Sequence, residues 1–147
     1  MIVSADAGGE YTAFWPIVAA AWRAMGLLPT LACVAPTDAD LTPLTAHGQV
    51  VHVHPVDGVP VGNFARVCRM MIAAALPGVS MLSDLDMLPL SHSYFAGLQS
   101  HVRLRGLVVA TADAFRWTGR PRYPICYLAA RCETWQAIVQ PGQGGAA

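Results

Sequence analysis

Short apolar runs alternate along the chain with longer stretches in which apolar residues recur every three or four positions. Met1 to Ala5 is one such run and stops at Asp6, Gly8 and Gly9, the pattern of a buried strand feeding a turn. From Glu10 to Met25, Phe14, Val18, Trp22 and Met25 recur at helical spacing and Gly26 supplies a stop, so an amphipathic helix is expected against a sheet. Pro16 fits that helix only in its first turn, because deeper in it would remove a hydrogen bond and clash with the preceding turn. Leu28 to Ala35 reads as a second strand, closed by Pro36 and a polar turn containing Asp38 and Asp40, and Val50 to His54 as a third. The strongest periodicity follows. Phe64, Val67, Cys68, Met71, Ile72 and Ala75 define one apolar stripe with Asn63, Arg66 and Arg69 off it, which predicts a helix. Gly78 to Leu82 is a fourth strand running directly into Ser83-Asp84-Leu85-Asp86, Ser91 caps a short helix to about Leu98, and Leu107 to Ala112 is a fifth strand. Pro124 to Ala130 is a further strand candidate, and Pro141 to Ala147 reads as a flexible Gly/Ala tail.

Strands alternating with helices of this length predict an α/β fold with a mainly parallel sheet flanked by helices, in a single domain over residues 1–140 with the tail at 141–147. Composition agrees. A chain of 147 residues buries roughly 68–70% of its unfolded surface and needs no metal or disulfide staple. Its apolar share of 54% against 12% charged residues implies that much of the chain is buried or covers a partner surface. Nine basic and nine acidic residues cancel, which argues against the electrostatic footprint of a nucleic-acid binder. Apolar stretches are interrupted at Pro16, Arg23, Arg69 and Pro77, and the first ten residues hold Asp6 and Glu10 without a basic start. Neither a membrane span nor a signal peptide is expected, and a cytoplasmic location is the default. The four cysteines, Cys33, Cys68, Cys126 and Cys132, lack the close pairing of zinc or redox sites and read as reduced, buried packing.

Chemistry concentrates at the end of the fourth strand. Ligands of open α/β sheets bind beyond the carboxyl ends of the strands, where Asp84 and Asp86 fall. On an extended segment both carboxylates point the same way while Leu85 packs inward. Such hard oxygen ligands suit Mg²⁺ or Mn²⁺ with positions left open for diphosphate. Two aspartates at a strand end also read as a plain turn, and the apolar strand before them is what favours the metal. Both are expected at a solvent-facing position, so that either can be removed without loss of the fold.

The segment Ser83-Asp84-Leu85-Asp86-Met87-Leu88-Pro89-Leu90, followed by Ser91 and Ser93-Tyr94-Phe95, resembles the Asp-x-Asp segment of GT-A nucleotide-sugar glycosyltransferases, whose fold is Rossmann-related. The upstream order of strand, helix, strand, strand, helix is similar too, and Tyr123-Pro124-Ile125-Cys126-Tyr127 is a softer echo downstream. The resemblance implies a metal-dependent transferase moving a sugar from a nucleoside-diphosphate donor to a saccharide or other hydroxyl acceptor. It implies that Asp86, with Asp84 directly or through the ribose, holds Mn²⁺ or Mg²⁺ and the diphosphate. Ser4 and Asp6 would lie near the base or ribose, and Asn63, Arg66 and Arg69 near the same pocket, where an arginine could fork onto phosphate. Many members carry a late histidine ligand, whereas the last histidine here is His101. Asp113 and Glu133 are the candidates for a general base.

Two other readings stand beside this one. A haloacid-dehalogenase-type phosphatase also places Asp-x-Asp after an apolar strand, with Asp84 as nucleophile; Leu88 and the late position of the motif are misfits. A truncated domain that binds a nucleotide sugar without turnover fits the short chain. His52 and His54 share a strand face at ligand spacing, or are simply a half-exposed sheet edge. His92 reads as a solvated helix start. Arg116, Arg120 and Arg122 around Trp117 form the best basic cluster, either a diphosphate clamp or a solvated turn. Trp15, Trp22 and Trp135 read as core.

Overall fold

A computed structural model describes residues 1–110, 117, 119 and 124–140. The strands are β1 (Ile2–Asp6), β2 (Thr30–Val34), β3 (Gln49–Val53), β4 (Val79–Leu82), β5 (Leu107–Val109) and β6 (Leu128–Arg131). They form one six-stranded sheet in the order β3-β2-β1-β4-β6-β5. The first four are parallel, but β6 runs antiparallel to both β4 and β5, so the sheet is mixed rather than simply parallel. Helices α1 (Trp15–Ala24), α2 (Thr42–Thr45), α3 (Val61–Ala75), α4 (His92–Ala96), α5 (Leu98–Arg105) and α6 (Cys132–Val139) complete a single small α/β unit.

Alternation along the strands decides which helix each side chain meets. Val3, Ala5, Leu31 and Cys33 face α1, where Trp15, Val18 and Trp22 are fully buried, and Val102 of α5 and Tyr127 extend that core. Ile2, Leu82 and Ala130 face the other way, against Ala73 and Ala74 of α3 and Trp135 of α6. Ala32 and Val34 lie under Ala65 and Cys68 of α3. The interior strand β2, next to the edge strand β3, is buried at every position, as a strand covered on both faces must be.

Several boundaries differ from the sequence pattern for identifiable reasons. The first helical stretch divides into a 3₁₀ turn over Glu10–Phe14 and α1, which puts Pro16 in the first turn of α1. The offset buries Trp15 and leaves Phe14 exposed. In α3 the inward face is Ala65, Cys68, Arg69, Ala73 and Ala74, whereas Val67 and Met71 are about half exposed. Small residues face the sheet because they allow the helix to lie close to it. The last strand begins at Leu128 rather than Pro124, and α5 and α6, two helices that the apolar pattern did not single out, follow α4 and β6. Residues 141–147 lie outside the described residues.

Candidate functional site

The order of the sheet reverses between β1 and β4: the chain goes outward from β1 through β2 to β3, then returns to β4 on the other side. A crevice opens at such a switch point beyond the carboxyl ends of the strands. Here it is a cleft of about 490 Å³ between the end of β1, the first half of α3, the turn after β4 and the segment before β6. Its walls include Ser4, Asp6, Arg66, Arg69, Asp84 and Asp86, six of the positions singled out in the sequence.

Strand alternation explains the polar lining on β1. Ile2, Ser4 and Asp6 share the face that meets α3, with Ile2 deep in the core and Ser4 and Asp6 reaching the cleft as the strand leaves it. A Cβ at Gly9 would overlap the Asp6 carboxylate, so the glycine is what lets the turn fold back against that side chain. Tyr11, half exposed in the 3₁₀ turn, forms part of the rim. The first turn of α3 opens onto the cleft at Gly62, where the positive end of the helix dipole favours an anion.

The two central aspartates differ sharply. Arg69 is 3% exposed and donates through Nη1 to the Ser83 carbonyl and to Asp84 Oδ1, the latter at 2.7 Å. Its Nε is buried with no hydrogen-bond partner among the described residues. Asp84 is therefore the counter-ion of a buried guanidinium, with its side chain 41% exposed to the cleft. Asp86 is exposed and makes no hydrogen bond or ion pair among the described residues. The segment is not extended through the pair: Met87 N–H donates to the Asp84 carbonyl at 3.2 Å, closing a turn. That turn, rather than strand alternation, brings both carboxylates to the cleft while Leu85 stays buried.

Behind them, Tyr127 has a positive φ of 59° and is 7% exposed. It packs edge-on against Trp22 and Phe95, and its N–H donates to the Leu82 carbonyl at 2.7 Å. Burial, with the nearby Cys126, Tyr94 and the Asp84 and Asp86 carboxylates adding to it, pushes the phenol above its ordinary range. The kink at Tyr127 carries Pro124, Ile125 and Cys126 into the cleft wall.

Other expected positions fall elsewhere. Asn63 is exposed on α3 and is not part of the cleft, because it lies one residue past Gly62 on the outward face. Glu133 sits in the first turn of α6, beyond the end of β6 that pairs with Val79 at the start of β4. It is thus at the opposite end of the sheet from the cleft, held below the usual carboxylate range by its own backbone N–H and Cys132. His92 lies at the start of α4 and borders a different, mostly apolar hollow. Asp113, Arg116, Arg120 and Arg122 lie outside the described residues, and Trp117 is 82% exposed. All four cysteines are thiols, Cys33 and Cys68 buried and Cys126 and Cys132 partly so. The lining residues that the sequence did not assign to a site include Ala5, Tyr11, Gly62, Ala65 and Leu85. Only Tyr11 carried a signal, its place in the loop directly after the first strand.

Among the described residues no group of three or more His, Cys, Asp or Glu side chains could hold a metal ion by itself. Mg²⁺ and Mn²⁺ do not require one, since such ions are commonly held by one or two carboxylates with water and substrate phosphate completing the shell. Asp86 and the Asp84 oxygen not engaged by Arg69 fit that mode. No helix among the described residues is long and apolar enough to cross a membrane. No family model, curated protein or solved structure matches this chain.

Proposed function

We propose that the chain is a metal-dependent glycosyltransferase of the GT-A type, which takes a sugar from a nucleoside-diphosphate donor and passes it to a hydroxyl acceptor. The observation that carries this reading is the meeting of Asp84, Asp86, Ser4, Asp6 and Arg66 in one cleft at the switch point of the sheet. Asp86, with no competing partner among the described residues, is the principal ligand for Mn²⁺ or Mg²⁺, and Asp84 assists with the oxygen that Arg69 does not engage. A divalent ion held there supplies Lewis-acid stabilisation of the charge that develops on a departing nucleoside diphosphate. Arg66, exposed on the cleft wall, forks onto phosphate oxygens. The first turn of α3 adds its dipole in the same direction. Ser4 and Asp6 hydrogen-bond the ribose or base.

A nucleotide-sugar binder without turnover is supported by a different observation. Among the described residues the carboxylates lining the cleft are Asp6, Asp84 and Asp86, all three already assigned to donor and metal, and Asp113, a candidate base, lies outside the described residues. Donor binding and donor turnover distinguish the two. Thermal unfolding of the chain with a panel of nucleoside-diphosphate sugars, with and without Mn²⁺, reports binding, because a ligand of the native state raises the midpoint by mass action. The expected result is a shift that needs both donor and metal and disappears in Asp86→Ala. A shift that Asp86→Ala retains in full would remove the assignment. Release of sugar from the donor in the same mixtures then separates transferase from silent binder.

A further inference from the structure

We propose that His52 and His54 form a bidentate imidazole site for a transition-metal cation of the Zn²⁺, Ni²⁺ or Cu²⁺ class, on the face of the sheet away from the cleft. His52 lies near the carboxyl end of the edge strand β3 and His54 directly follows its last residue, and both are exposed. His52 stands opposite Cys33 of β2 in the parallel register, and Cys33 packs in the core beneath α1. Val53 packs instead with Val34 and Cys68 beneath α3. The histidines therefore lie on the α1 side, across the sheet from Arg66 and Arg69.

Two independent features fit a chelate. The ring centroids of His52 and His54 are 4.7 Å apart and the planes are tilted by 49°. With metal–nitrogen bonds of about 2.0–2.1 Å and centroids roughly 1.1 Å behind the bonding nitrogen, two imidazoles on one ion at right-angle to tetrahedral opening stand about 4.5–5.2 Å apart. The observed separation lies within that interval. The second feature is the hydrogen bond between His52 Nε2 and the Ala35 carbonyl at 3.0 Å. A carbonyl oxygen can only accept, so the His52 proton is fixed on Nε2 and the Nδ1 lone pair is left for a ligand. Metal-bound histidines characteristically donate their other ring N–H in this way, which orients the ring and raises its basicity. Among the described residues His54 has only a 3.5 Å approach of Nδ1 to Thr37 Oγ1, with no partner for Nε2 among them. Imidazole nitrogen selects borderline cations and not Mg²⁺, which takes oxygen ligands. Water fills the remaining positions.

Titration calorimetry of the whole chain with ZnCl₂, and separately NiCl₂, in the presence of excess Mg²⁺ tests the site. One ion per chain is expected. His52→Gln keeps a donor for the Ala35 carbonyl but loses the ligand, and His54→Ala removes the other. Each alone should weaken binding roughly a hundredfold or more, the advantage of two linked ligands over one, and His47→Ala and Asp86→Ala should leave it unchanged. If each single variant merely halves the number of ions bound, the imidazoles act separately and the chelate is wrong. Binding that survives both histidine replacements, or that is lost in Asp86→Ala, overturns it equally. Because Asp86→Ala carries the donor test and the histidine variants carry this one, the two proposals fail separately.

Discussion

Arg69 is a guanidinium at 3% exposure, and among the described residues the carboxylate it pairs with is Asp84. Removing one partner of such a pair leaves the other uncompensated, which costs about 3–5 kcal/mol when both are buried. Asp84 is 41% exposed, so solvent relieves part of the penalty and about 2–3 kcal/mol is expected for Asp84→Ala. Asp86→Ala should leave the urea midpoint where it is, since Asp86 is exposed and makes no ion pair among the described residues. The two aspartates are thus not interchangeable in stability, contrary to the expectation from their spacing alone. Equal midpoints for the two variants in urea denaturation would show that Arg69 does not depend on Asp84. The carboxylates themselves were legible in the sequence as an acidic pair after an apolar strand. The dependence on Arg69 was not, because a residue off the apolar stripe of a helix reads as solvated until the packed face is known.

That packed face was misread at the level of elements, and the cause is the size of the residues. Val67 and Met71 weigh heavily in any periodic pattern but point outward, while Ala65, Ala73 and Ala74 face the sheet. The short apolar runs closed by turn residues, by contrast, located the four parallel strands along the chain without needing the packing. The reversed direction of β6 was beyond local pattern, since it depends on how the segment after residue 110 returns to β4. Two glycines test the packing of elements directly. At Gly48 a Cβ would lie 2.7 Å from the Trp15 ring and 2.8 Å from the Pro29 carbonyl. Backbone cannot yield there, so Gly48→Ala should destabilise by about 1–3 kcal/mol. At Gly62, within α3, nothing lies within 4 Å of an added Cβ, and Gly62→Ala should stabilise by about 0.4–1 kcal/mol. Thermal or urea unfolding of the two variants should move in opposite directions; a shift of the same sign would contradict the packing of one of them.

Taken as a whole, the molecule gathers its cleft from four separated stretches of chain, residues 4–11, 62–69, 84–86 and 124–126. Cys126 provides a reporter within it, because it is a partly buried thiol on the cleft wall whereas Cys33 and Cys68 are buried in the core. Burial pushes the Cys68 thiol up to about 11, which keeps it unreactive near neutral pH. In the native protein a maleimide should therefore modify Cys126 well ahead of Cys33 and Cys68. A nucleoside-diphosphate sugar with Mn²⁺ should slow that modification by about tenfold or more at saturating ligand. Mass mapping of the labelled peptides checks the order and the protection; an unchanged rate with ligand bound would place the ligand elsewhere.

The wall formed by residues 124–126 depends on the left-handed backbone of Tyr127 and on β6 pairing back onto β4. A nascent chain that has emerged only as far as Ala110 already contains both aspartates and the buried guanidinium, yet lacks that wall and leaves one margin of β4 uncovered. Closure of the cleft is then expected to wait on a long-range strand pairing, a class of contact that forms slowly. Appearance of ligand affinity during refolding would time the arrival of the final strand.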